Sequence, residues 1–179
     1  NFTSKIRESG IHLNELLSDS EDSEIEHLAS SYAKQIMNKT CVIYGGTGLT
    51  ELVSSRWKTQ INENSKAKAF IGSMPEVHHN EILSWQADID GSMENFILIF
   101  LRSPFEHPQI KKRFELSEKL LGDKVQILNI FTKESKDELK ILMELVLLGD
   151  LTSIHLADNL NMKPEDIDTI EELKKLLKG

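Results

Sequence analysis

Two histidines and two glutamates fall within the eleven residues PEVHHNEILSW (75–85), a density that admits metal binding, proton transfer or the capping of a helix. Glu76 and His79 stand three apart, the spacing by which a helix presents two ligands to a dinuclear metal site. Against a metal, the adjacent His78 and His79 would point about 100° apart on a helix, and Pro75 sits at the exit from a strand. A carboxylate at the start of a helix can instead carry a proton, a task open to either Glu76 or Glu81. Asn80 and His79 are then the polar groups beside it.

Three further stretches hold groups of the same kind. YGGTGLTE (44–51) leaves a strand and opens a helix, where exposed N–H groups bind anions; Gly46 and Thr47 are the candidates there. The stretch lacks the Lys-Ser/Thr pair of a P-loop and does not complete G-x-G-x-x-G, so a tight strand-to-helix turn stays open beside the ligand loop. SPFEHPQIKKR (103–113) follows an apolar strand and places His107 directly before a proline-led helix, at the sheet edge where α/β proteins keep their sites. IEELKKLLKG (170–179) carries Lys174, Lys175 and Lys178, which complementarity to the helix dipole also explains. No G-x-S-x-G elbow marks a nucleophile. Cys41, the lone cysteine, lies among apolar residues and reads as a buried thiol.

The elements that must position these groups are legible in the hydrophobic pattern. Near-continuous apolar runs at 41–45, 69–72, 96–101 and 125–131 read as parallel strands covered on both faces. Segments with helical spacing fall at 49–62, 80–86, 108–121, 136–148, 151–160 and 164–177, and an earlier one follows the acidic run SDSEDSE. The alternation predicts an α/β fold, a three-layer αβα sandwich around a parallel sheet of about five strands. Residues 1–20 read as an arm or linker and 21–179 as one domain.

Composition narrows the function classes. The chain of 179 residues carries a net charge of −8, which opposes nucleic acid as a partner because phosphate binding needs a basic face. No apolar run reaches the roughly 20 residues that span a bilayer, and no signal peptide is present, so a cytoplasmic protein without a membrane partner is expected.

Taken in order, VIYGGTGLTELVSSRWKTQINENSKAKAF, PEVHHNEILSW, FEHPQIKKR and DLTSIHLADNL followed by IDTIEELKKLL resemble the C-terminal sugar isomerase (SIS) domain of bifunctional phosphoglucose/phosphomannose isomerases. The resemblance covers roughly residues 20 to 178, and its most specific part is RWKxQINENxK followed by PExxHNExxxW. It implies a flavodoxin-type sheet, a sister SIS domain upstream and a dimer, so that this chain would be the C-terminal half of a longer enzyme. The S-x-S-G-N-T-type loop that holds the sugar phosphate in the sister domain is absent from this chain.

The implied chemistry interconverts glucose 6-phosphate and fructose 6-phosphate, with mannose 6-phosphate a further candidate, through a cis-enediol and without cofactor or metal. The glutamate of HNE, Glu81, matches the base; Glu76 is its rival. His107, supplied across the dimer interface, and Lys174 match the groups that assist ring opening. Gly46, Thr47, Glu76, His79 and Asn80 match substrate-binding positions. Relatives place a hydroxyl shortly before the lysine to admit mannose phosphate; here Ile167 and Asp168 stand there, with Thr169 adjacent. A non-catalytic SIS module that binds a sugar phosphate or mediates dimerisation is the alternative.

Overall fold

The computed structural model describes residues 2–18, 23–132 and 135–178. Its centre is a sheet of four strands, β1 (Thr40–Gly46), β2 (Ala69–Met74), β3 (Phe96–Leu101) and β4 (Gln126–Ile130), in the order β2-β1-β3-β4. Every pairing is parallel. About five strands were expected; among the described residues there are four, because the apolar pattern of the remaining chain is spent on helices.

β1 is buried along almost its whole length, as its unbroken apolar run requires. Cys41 and Ile43 join a core cluster with α2 (Glu24–Ile36), α3 (Leu49–Asn64) and α5 (Glu138–Asn159). Val42 and Tyr44 face the opposite layer, where α4 (Pro108–Leu121) and the segment around Val77, Trp85 and Met93 cover the sheet. This two-sided burial pushes the Cys41 thiol up to about 12, so it stays protonated and structural as its neighbours foretold.

α2 starts at Ser23, whose Oγ accepts the Glu26 N–H at 3.3 Å, and buries Ile25, Ala29, Ala33 and Ile36. The acidic run before it, and with it the boundary expected at residue 20, lies outside the described residues. The expected arm forms α1 (Phe2–Leu17), which lies against α5 with His12 Nε2 at 2.9 Å from Glu144 Oε2.

Two helices expected at 136–148 and 151–160 are one, α5, running through Gly149 and Asp150. Packing overrides the helix-breaking tendency of glycine here. The Trp57 indole of α3 lies where a side chain on residue 149 would be, and its Nε1–H donates to Leu145 O at 2.8 Å. Arg56 completes the contact with two hydrogen bonds to Asp150, at 2.8 and 2.9 Å. The RWKTQINENSK stretch is thereby scaffold: Ile61 is fully buried, Asn62 bonds Ala67 O and Asn64 bonds Ser153. A Cβ at residue 149 would lie 2.3 Å from Trp57 Nε1, so Gly149→Ala is expected to cost about 1–3 kcal/mol, read as a lowered thermal midpoint.

The helix expected at 80–86 is a 3₁₀ turn, Glu81–Trp85, and another such turn, Glu76–His78, precedes it across Asn80 at φ −140°. Separate anchors hold the two turns. His78 is tied to α4, with Nε2 at 2.6 Å from Ser117 Oγ and Nδ1 accepting from Arg113 at 3.1 Å. Trp85 instead reaches down to the sheet. The last helix is shorter than expected, α6 (Asp168–Leu176), and none of its residues is buried. Among the described residues, no helix is long and apolar enough to cross a membrane.

Candidate active site

The strand order places the topological switch between β1 and β3, and their parallel alignment brings Gly45 opposite Leu101 at one edge. Loops leaving the C-terminal ends of such strands line the crevice in which α/β sheets bind ligands. β1 ends at Gly46 and the loop after it begins with Thr47, the loop after β2 leads to Glu76 and Glu81, and that after β3 leads to His107.

Glu81 opens the second 3₁₀ turn and is half-buried. Tyr44 Oη donates to Glu81 Oε1 at 2.6 Å, and Trp85 Nε1 donates to Tyr44 Oη at 2.9 Å. The carboxylate lines a cavity of about 580 Å³ with Val42, Phe70, Trp85, Met93 and Phe96 among its walls. Glu76, His79 and Asn80 are exposed. The two glutamates that sequence left as rivals thus differ: Glu81 is held against the core and Glu76 faces solvent. His78 is scaffold, and burial together with the Arg113 guanidinium lowers its pKa, which keeps the ring neutral.

His107 caps α4, its Nδ1 accepting the Gln109 N–H at 3.2 Å. That bond puts the proton of the neutral ring on Nε2, and the residue is exposed. His107, Gly46 and Thr47 share a small cavity of about 100 Å³ with Thr50, Glu106 and Glu138. The Gly46 N–H is taken by Thr50 Oγ1 at 2.8 Å and the Thr47 N–H by Met74 O at 3.0 Å. Gly45 lets the turn close, since a Cβ there would meet the Thr50 carbonyl oxygen at 2.3 Å. Both of these N–H groups are thus engaged within the chain.

Sequence reasoning missed Arg102 and Glu106. Both side chains are 5% exposed, and the guanidinium meets the carboxylate through two hydrogen bonds of 2.8 Å. Glu106 also accepts the Ser103 N–H at 2.9 Å, and Arg102 lies over the Phe114 ring, 4.6 Å from its centroid. The pair clamps the loop that ends in His107. Its only trace in sequence is the i, i+4 spacing of opposite charges across SPF. The bonds of Tyr44 to Trp85 and Glu81 left no such trace, because both partners are far along the chain.

Lys174 lies on α6, exposed, and its side chain makes no hydrogen bond or ion pair among the described residues. The start of that helix, with Ile167, Asp168 and Thr169, lines a cavity of about 680 Å³ against Lys58, Thr59 and Asn62 of α3. Within one chain, the Glu81 and His107 cavities have separate linings and α6 stands apart from both.

A family model described as the bacterial phospho-glucose isomerase C-terminal SIS domain matches residues 25–177. The bifunctional phosphoglucose/phosphomannose isomerase of Aquifex aeolicus is 33% identical over 171 residues, covering 90% of this chain and 52% of the relative. Its namesake from Caldicellulosiruptor bescii is 30% identical, covering 86% of this chain and 45% of the relative. The chain therefore spans about half the length of these curated relatives. Among solved structures, glucosamine-6-phosphate deaminase of Thermotoga maritima shares the fold at a TM-score of 0.59 and 14% identity, over 86% of this chain and 46% of that one. With a parallel sheet wrapped as in these structures and a family match across most of its length, the chain belongs to the bacterial phospho-glucose isomerase C-terminal SIS domain family.

Proposed function

We propose that this chain is the proton-transferring half of a sugar-phosphate isomerase that interconverts glucose 6-phosphate and fructose 6-phosphate, with mannose 6-phosphate open to the same chemistry. The observation that carries the reading is Glu81, a carboxylate backed by a buried phenol and facing a cavity. In the proposed reaction Glu81 takes the proton from C2 of the open-chain aldose. The electron pair left behind forms the C1–C2 double bond, and O1 gains a proton to give the cis-enediol. Returning a proton to C1 while O2 gives up its own yields the ketose. His107, through Nε2, and the Lys174 ammonium assist ring opening by moving or holding a proton at the ring oxygen.

Separation of these groups within one chain fits a site completed by other parts of the protein, a sister SIS domain and a second copy in a homodimer. Phosphate anchoring falls to the sister domain in this reading, supported by the engaged N–H groups of Gly46 and Thr47. Asn80 and His79, exposed beside Glu81, are then free to meet substrate hydroxyls.

The test is a coupled isomerase assay on two proteins. The 179-residue chain alone is expected to show no measurable turnover and to bind fructose 6-phosphate with a Kd above about 1 mM, near −4 kcal/mol. A longer protein joining this domain to the half its relatives carry should turn over, and should keep its rate after EDTA treatment. Sugar-phosphate binding without turnover would favour the non-catalytic module. Loss on chelation, restored by zinc or manganese, would move the chemistry to a metal at Glu76 and His79.

A further inference from the structure

We infer that Tyr44, locked by Trp85, is the positioning residue for Glu81: it occupies Oε1 as a fixed acceptor and leaves Oε2 as the one atom that carries the substrate's proton. The inference rests on the reading of Glu81 as the base.

Donor arithmetic sets the direction of the chain of bonds. An indole N–H can only donate, so the Tyr44 oxygen accepts from Trp85 at 2.9 Å. Its single O–H is then free to donate to Glu81 Oε1, 2.6 Å away. Accepting that O–H draws electron density from Oε1 and makes it the less basic oxygen, so a proton gained by the carboxylate goes to Oε2. The phenol cannot turn aside. Tyr44 is 2% exposed and its ring stacks on Phe100 at 5.9 Å with planes 15° apart. Its other side is closed by β2 at Gly72, where even a Cβ would come within 2.8 Å of the Tyr44 ring. Burial, and then the hydrogen bond to Glu81, push the phenol far above its usual range, so it remains a donor at any working pH.

A clamped carboxylate returns the proton from the atom that took it, before solvent replaces it. The experiment follows substrate deuterated at C2 in a full-length protein carrying this domain, as wild type, Tyr44→Phe, Glu81→Gln and the double variant. Tyr44→Phe keeps the stacked ring and removes only the hydroxyl. It is expected to lower kcat about 10- to 100-fold, as for one lost hydrogen bond to a charged group, with KM changed less than about twofold. The fraction of deuterium found at C1 of the product should fall as well, which a purely structural role would not produce. Because Tyr44 acts through Glu81, the double variant should lose no more than Glu81→Gln alone. Should Tyr44→Phe fold poorly, Trp85→Phe tests the same relay by freeing the phenol oxygen, with a smaller loss of kcat and the same fall in retention. Wild-type kcat and retention in a folded Tyr44→Phe protein, or a loss that adds fully to that of Glu81→Gln, would overturn the relay. An unimpaired Glu81→Gln protein would overturn the base and the relay together.

Discussion

Glu81→Gln, made in a full-length protein carrying this domain, is expected to lower kcat by about 10²- to 10⁴-fold while KM changes little. The amide keeps the shape of the side chain and can still accept from Tyr44 through its oxygen, so the turn, the indole and the phenol stay in place. What is lost is the atom that takes and returns the proton. That loss falls on the transition state and not on the bound sugar, hence the split between kcat and KM. Glu76→Gln is the control: Glu76 is exposed, and its substitution should be mild. Equal losses from the two variants, or a loss confined to Glu76→Gln, would show that the proton passes through the other carboxylate.

The largest stability effect is expected from Glu106→Gln. It leaves the Arg102 guanidinium 5% exposed, between the Phe114 and Phe131 rings and without its counter-charge. Breaking a buried pair on one side costs about 3–5 kcal/mol, because the surviving charge stays desolvated. At about 2–4 °C per kcal/mol for a chain of this size, the thermal midpoint should drop by roughly 6–20 °C. Removing both charges, as in Arg102→Met with Glu106→Gln, should recover part of that loss. The loop that positions His107 would still be slack in the double variant, since the two hydrogen bonds of the pair are gone. A Glu106→Gln protein melting within about 2 °C of wild type would show that the carboxylate is not the counter-charge that matters, against the general cost of an unpaired buried ion.

The sequence by itself determined the parallel sheet, since β1 and β3 are apolar on both faces and only a strand covered by two layers tolerates that. It also placed His107 at a helix start, because proline at the first helical position marks such starts locally. The candidate carboxylates were legible as residue types, but their ranking was not: Glu76 and Glu81 are five residues apart, and only the tertiary structure shows one facing solvent and the other bonded to a tyrosine 37 positions away. The continuity of α5 through Gly149 has the same origin. It is a local preference overruled by a distant partner, since Trp57 needs the space beside Gly149. Periodicity reports which face of an element is apolar. It carries no record of which side chain from elsewhere will meet that face, and the Trp85–Tyr44–Glu81 chain and the Arg102–Glu106 clamp exist only once the sheet and its two covering layers have closed.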